Sequence, residues 1–247
     1  CDVLIIGAGS SGAQAAYLLK DSGLDIVVVD KRKVGTGSTS TNTSLIQYLG
    51  DKTVTQLVNT FGEEKTFRHF KLCEQAIQEI EKISNSLPIN PDFIKRDSLY
   101  YASYEKDLED LKSDYLYLKK HGFQVDWLDE EQIAEKYPFT KRAAIYSYND
   151  GEMNPLKYVY GLLEACKGSG VQIFEETEIN GKTLRKEEAI FYTNGHHEIK
   201  AKHVIIACGY ESLEFKKEKN AVMESSYAMV TTPVTDFSSW NNRTLIW

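Results

Sequence analysis

The chain opens on Asp2-Val3-Leu4-Ile5-Ile6, a continuous apolar run cut off by Gly7. A short segment that is apolar on both faces predicts a strand buried in a parallel sheet. From Ser10 to Lys20 the residues favour a helix, with Ala13, Ala16, Tyr17 and Leu19 giving a small-residue face. Asp21-Ser22-Gly23 closes that helix, and Ile26 to Val29 is a second buried strand. The three segments predict a βαβ unit.

Beyond this unit the pattern changes. Thr53 to Ser86 reads as one helix, with Ile77, Ile80 and Ile83 along a face. Leu87-Pro88-Ile89-Asn90-Pro91 then breaks the pattern, because each proline removes a donor and restrains its predecessor. A domain boundary is expected there. Leu99 to Ala102 reads as a strand, and Glu105 to Lys120 as an amphipathic helix stopped by Gly122. Asp129 to Gln132 resembles a capping box. Asn154-Pro155 is a cap residue followed by a proline at the first helical position, which starts a helix running to about Lys167. Strands follow at Val171 to Phe174, in a hairpin around Gly195 and at His203 to Ile206. Alternating strands and helices at both ends predict an α/β fold.

Composition narrows the function classes. The 247 residues suffice for one sizeable core or two modest ones. A formal charge of -7 argues against nucleic acid as a partner. No run approaches the ~18 apolar residues of a membrane span. No secretory signal is visible, although the chain starts at Cys1 directly in a strand, so a leading segment is expected to be missing. Cys1, Cys73, Cys166 and Cys208 form no CxxC pair, which favours free thiols in a reducing cytoplasm over a metal or disulfide site.

Gly7-Ala8-Gly9-Ser10-Ser11-Gly12 is a G-x-G-x-x-G between a strand and a helix. Gly7 permits the tight turn, Gly9 lets a pyrophosphate approach the backbone, and Gly12 lets the helix pack on the strand. The helix start then offers N–H groups and partial positive charge to phosphates. Asp30 ends the second strand at the spacing from which a carboxylate accepts ribose hydroxyls. Lys31 and Arg32 follow it, either as cofactor contacts or as a solvated basic turn. The stretch from Gly35 to Ser44 is hydroxyl-rich and nearly uncharged. It reads either as a flexible linker or as a loop that presents hydroxyls to an anion.

The residues Asp2 to Gly12, Asp30-Lys31-Arg32 and Gly37-Ser38-Thr39 through Leu45 resemble the D-amino-acid oxidase-like family of FAD oxidoreductases. Asp150 to Pro155 and Val204 to Gly209 resemble two further motifs of that family. The resemblance implies a Rossmann-like FAD/NAD(P)-binding domain with an inserted, incomplete α+β substrate domain. The expected division is 1–88 and 147–222 for the FAD-binding domain, with 89–146 and 223–247 for the substrate domain. It further implies FAD on Gly7, Gly9, Ser10, Ser11, Gly12, Asp30, Lys31, Arg32, Gly37, Ser38 and Thr39. Ser44 and Leu45 would run beside the isoalloxazine ring, Ile179 would meet the adenine, and Ala207, Cys208 and Gly209 would pack close to the cofactor. As a small buried filler Cys208 needs no redox role.

The activity implied is hydride transfer from the carbon next to an amine or hydroxyl to flavin N5, with oxygen or an electron carrier as the acceptor. No acid–base pair or metal site stands out, which fits a reaction whose chemistry the cofactor carries. His196-His197 reads as a solvated turn, and His69 and His121 as surface or packing residues. Arg96, Tyr100, Tyr101 and Tyr227 are substrate-clamp candidates by residue type and region. Thr39 to Ser44 holds no His or Arg where the sarcosine-oxidase subgroup places residues near the flavin. Tyr227 to Val234 reads as a strand entering the substrate domain, so the chain is expected to be a fragment. Two other readings remain: an NAD-linked dehydrogenase, and a nucleotide-binding module without catalysis.

Overall fold

The computed structural model describes residues 1–186, 188–218, 221–224, 227 and 229–247. In chain order its strands and helices begin with β1 (Val3–Ile6), α1 (Ser10–Leu19), β2 (Ile26–Val29) and β3 (Leu45–Ile46). Then come α2 (Val54–Phe61), α3 (Glu63–Ser86), β4 (Ile94–Tyr101), α4 (Leu108–Lys120) and β5 (Val125–Asp129). After α5 (Glu130–Lys136) and β6 (Ala143–Glu152) follow α6 (Pro155–Gly168), β7 (Gln172–Phe174), β8 (Ile179–Leu184) and β9 (Ala189–Thr193). The last are β10 (Glu198–Ala201), β11 (His203–Ile206) and β12 (Leu245–Ile246).

The chain divides into two compact units. The first comprises Cys1–Thr43, Ser84–Asp92 and Asn154–Ala228, and the second Ser44–Ile83, Phe93–Met153 and Met229–Trp247. The expected break near residue 88 is therefore displaced, since residues 44–83 belong to the second unit.

The first unit is built on a parallel sheet in the order β11-β1-β2-β7. Its central strands are buried along their whole length, as their unbroken apolar runs predict. Ala13 and Ala16 of α1 are fully buried, so that helix packs closely on α6 through Tyr158, Leu162 and their neighbours. The start of α6 is capped as its sequence predicts: the Asn154 side chain accepts from the N–H groups of Leu156 and Lys157. A second, antiparallel sheet of β10-β9-β8 covers the other face, where Phe191 and Ala201 join Leu4, Ile6, Val27 and Val29 in one cluster.

The second unit holds a sheet in the order β12-β4-β6-β3, with β5 also paired to β6. Strand alternation divides its side chains between two cores. Ala143 and Ile145 face a cluster with Phe67, Phe70, Leu111 and Leu118, while Ala144 and Tyr146 face one with Leu99, Leu128 and Ile133. Each large apolar side chain buried this way contributes about 1.5–3 kcal/mol.

Three features depart from the sequence expectation. The helix over 53–86 is two helices, because Gly62 adopts φ +84° and its N–H closes α2 on Val58. Strands β5, β6 and β8 form where no strand is expected from pattern alone. The described residues of Tyr227–Val234 are not in a strand, and Ala228 lies outside the described residues. Among the described residues no helix is long and apolar enough to cross a membrane, and no group of three or more His, Cys, Asp or Glu could hold a metal ion.

Two buried carboxylates tie the second unit together. Asp114 on α4 is 1% exposed and caps α2, accepting from the N–H of Val54 (3.1 Å), the N–H of Thr55 (2.7 Å) and the Thr55 hydroxyl (2.6 Å). Asp150 on β6 is equally buried and accepts from the Ser98 hydroxyl and from the Tyr48 N–H at 3.1 Å. Burial pushes the Asp150 carboxyl up to about 7, against the pull of those two donors.

Replacing Asp114 strands two amide donors at a helix start. Asp114→Ala is expected to destabilise the second unit by about 1–3 kcal/mol, read as a lower urea midpoint. An unchanged midpoint would contradict the capping role. The Asp150 carboxyl keeps its proton when folded up to about pH 7, whereas in the unfolded chain it releases it near 3.8. Folding therefore takes up a proton between these values. Its stabilising contribution is complete below pH 3.8 and is lost as pH rises through 7. Asp150→Asn should flatten the fall in stability over this interval relative to the parent protein. Parallel curves for the two proteins would rule the effect out.

Candidate functional site

The site in the first unit begins where β1 ends. Gly7 donates its N–H to Val29 at 2.8 Å, and Ala207, just after β11, donates to Ile6 at 2.8 Å. Three strand ends thus meet at one edge of the sheet. Gly7 has φ +106°, and a Cβ there would lie 2.4 Å from the Ala207 carbonyl oxygen. A Cβ on Gly12 would lie 1.8 Å from the Gly7 carbonyl oxygen. Neither position tolerates a side chain, so the turn and the helix-on-strand packing are as the motif predicts.

Around this turn the polar groups are fixed by hydrogen bonds. Asp30 accepts the Ala8 N–H on Oδ2 and the Arg32 N–H on Oδ1, both at 2.8 Å. Its carboxylate is locked in place and still has acceptor capacity on each oxygen. Thr39 is buried, and its Oγ1 accepts the Ser10 N–H at 3.0 Å. The hydroxyl-rich stretch is therefore no loose linker. Residues Ser38–Ser40 form a helical turn pinned against the start of α1.

These elements line one cleft with a cavity volume of about 240 Å³. It brings together Gly7, Gly9, Ser10, Ser11, Asp30, Lys31, Arg32, Gly37, Ser38, Thr39, Ile179, Ala207, Cys208 and Gly209. Gly12 packs behind the cleft rather than lining it. Ser44 and Leu45 belong to the second unit, where Leu45 pairs with Glu152, and they do not line this cleft.

Lys31 and Arg32 are engaged by a residue that sequence reasoning missed. Glu211, in the helical turn Gly209–Glu214, lies 2.8 Å from the Lys31 ammonium and 3.5 Å from the Arg32 guanidinium. The hydrogen bond that Lys31 donates to Glu211 raises the Lys31 pKa above its usual value. Thr177, Glu178, Tyr210, Glu214 and Phe215 also line the cleft without having been expected. No spacing signal marks them, because they follow the last recognisable strand or precede a short one. The Cys208 thiol lies 3.3 Å from the Ile6 carbonyl, as a donor to it, and its pKa is raised by burial and by the Glu211 and Asp30 charges. It fits a packing role.

The substrate-clamp candidates do not converge. Arg96 pairs with Glu152 at 2.8 Å, and its buried Nε has no hydrogen-bond partner among the described residues. Tyr100 stacks on Trp247 with ring centroids 4.4 Å apart, and burial raises its pKa. Tyr101 lies beneath the Lys141 ammonium at 4.2 Å, in the other core. Neighbours on one strand face opposite ways, so Tyr100 and Tyr101 cannot share a pocket. Tyr227 is 93% exposed and lines neither this cleft nor the next.

The second unit has a cleft of its own, about 570 Å³, lined by Tyr115, Asp126, Trp127, Tyr146, Tyr148, Asn241 and others. Tyr148 donates to Asp126 at 2.6 Å, and that bond to a carboxylate pushes the phenol up to about 12. Two of the histidines make side-chain contacts of their own: His121 stacks on Phe67 with centroids 3.7 Å apart and meets Glu63 at 2.5 Å, and His69 contacts Cys73.

Comparison with known proteins places the chain in a family. The sequence profile of the family described as FAD dependent oxidoreductase (DAO) matches residues 2–246. The Bacillus subtilis protein YhfW, which carries the name of a Rieske 2Fe-2S iron-sulfur protein, is 26% identical over 206 residues, covering 83% of this chain and 39% of its own. Gamma-glutamylputrescine oxidoreductase of Escherichia coli is 21% identical over 209 residues, covering 84% of this chain and 48% of its own. Among solved structures, L-proline dehydrogenase from P. horikoshii superposes with a TM-score of 0.71 at 20% identity, over 88% of this chain and 56% of that one. Glycine oxidase from Geobacillus kaustophilus gives 0.69 at 19% identity, over 83% and 54%. These structures share the fold. The chain spans about half or less of the length of the curated relatives it matches.

Proposed function

Because the chain belongs to the DAO family of FAD-dependent oxidoreductases, we propose that the cleft of its first unit holds the ADP half of FAD. The whole protein, on this reading, oxidises an amine, amino acid or hydroxy acid. Bound FAD would supply the acceptor for a hydride from the carbon next to the substrate's nitrogen or oxygen.

The observation that carries this reading is the joint placement of Asp30 and the start of α1 on one cleft. The first turn of α1 contains no acidic residue, and it reaches the cleft through Ser10 and Ser11. Its partial positive charge suits a diphosphate. Asp30, held by two backbone donors, is oriented to accept ribose hydroxyls. Ile179 and Phe215 add apolar surface for a base. The volume is below the 300–1,000 Å³ typical of sites that enclose a drug-sized ligand, and so suits part of a dinucleotide better than all of it. Ser44 and Leu45 beside the flavin ring, and a substrate-binding role for residues 89–146 and 223–247, remain part of the proposal. So do the choice between oxygen and an electron carrier as acceptor, and hydride delivery to flavin N5.

Titration with FAD, followed by flavin fluorescence and the visible spectrum, tests the reading. The chain is expected to bind FAD, and Asp30→Ala to weaken binding by about 1–3 kcal/mol through lost hydrogen bonds. A colourless protein that binds NADH instead would favour a nicotinamide-linked enzyme. If FAD binds but the whole protein is reduced by no amine, amino acid or hydroxy acid under anaerobic conditions, the nucleotide-binding module without catalysis replaces the oxidoreductase.

A further inference from the structure

The cleft of the first unit carries a charge pattern that holding a diphosphate does not require. Four carboxylates line it, Asp30, Glu178, Glu211 and Glu214, beside two cations, Lys31 and Arg32. The backbone N–H groups of Glu176 and Thr177 bond to the carbonyls of Arg32 and Asp30, which sets Glu178 beside Lys31. From the other side, Glu211 reaches both cations with separate oxygens, Oε2 toward Lys31 and Oε1 toward Arg32.

A cation just after the ribose-binding acid is the kind of group that accepts a 2′-phosphate in dinucleotide sites. This chain offers two, and both are engaged by one carboxylate. We propose that Glu211 is a specificity residue of the nucleotide cleft. By pairing with Lys31 and Arg32, it makes the ribose end accept a free 2′-hydroxyl and reject a 2′-phosphate. The inference rests on the reading of this cleft as a nucleotide site. It adds that exclusion of 2′-phosphorylated dinucleotides depends on Glu211 as well as on Asp30.

The energetics suit discrimination rather than stability. Lys31, Arg32 and Glu211 have side chains 37%, 54% and 39% exposed, so the ion pairs add little to folding. A 2′-phosphate entering beside Asp30 would nonetheless feel the charges next to it, because the screening length at physiological ionic strength is ~8 Å. With Glu211 present it meets an acidic wall. Without Glu211, it meets two cations released from their ion pairs with that carboxylate.

The test compares ADP-ribose with its 2′-phosphate, two probes that differ by that group alone, using titration calorimetry. The parent chain should bind ADP-ribose at least about tenfold more tightly than the 2′-phosphate, and Glu211→Gln should narrow the gap by about tenfold while changing ADP-ribose affinity less than about threefold. Adding Lys31→Gln and Arg32→Gln to Glu211→Gln should abolish the gain, and raising the salt concentration should erode it. An unchanged preference in Glu211→Gln would overturn the inference. So would equal weakening of both probes, which would mean that Glu211 only props the 209–214 turn. If the parent chain binds neither probe, the nucleotide reading itself fails.

Discussion

The first unit depends on one close approach, that of the Gly7 backbone to the Ala207 carbonyl. Strand β11 returns beside β1 in parallel register, so that Ile206 pairs with Ile6 and both strands finish at the same level. The chain leaving β1 must then turn within three residues, Gly7 to Gly9, to start α1. The space for that turn is bounded by Ala207 on one side and by α1 on the other. A side chain at Gly7 or Gly12 would overlap backbone, which neither rotamer change nor small shifts relieve. With both positions bare, the start of α1, the end of β2 and the Ala207-Cys208-Gly209 return all open onto one cleft.

The polar chemistry of the cleft follows from that convergence. Strand ends expose backbone donors and acceptors, and buried ones must be satisfied. Asp30 and Thr39 do this for Ala8, Arg32 and Ser10, and the side chains that satisfy the turn are thereby held rigid. Rigid acceptors and a helix start whose N-cap, Gly9, brings no side chain are what a bound phosphate ester and ribose need, because little ordering is left to be done on binding. Below the rim, Leu4, Ile6, Val27 and Val29 form an apolar floor that fixes the positions of all these groups.

How much of this was legible in the sequence varied with the physical signal. β1, α1, β2, α6 and β11 announce themselves by apolar runs or by caps, and they build the unit that carries the cleft. Strand β6 was missed because its ten residues include Ser147, Asn149, Asp150 and Gly151, a composition that suggests a turn. Its polar residues are satisfied across the sheet by partners such as Ser98 and Tyr48, which no local window contains. Nothing in the apolar spacing over 53–86 marks Gly62 as a break, yet it ends α2 with φ +84°. Glu211 was invisible because its role depends on contacts with Lys31 and Arg32, far earlier in the chain. Arg96, Tyr100 and Tyr101 were singled out by type, whereas alternation along β4 sends the two tyrosines into different cores.

The central claim is that backbone and hydroxyl groups at the start of α1 and in the 37–40 turn wrap the diphosphate of FAD. Hydrogen–deuterium exchange with and without FAD measures this directly, amide by amide. The account predicts slowed exchange on FAD addition for peptides covering residues 7–12 and 37–40, with residues 108–120 of the second unit unaffected. Slowed exchange elsewhere, with residues 7–12 unchanged, would contradict it.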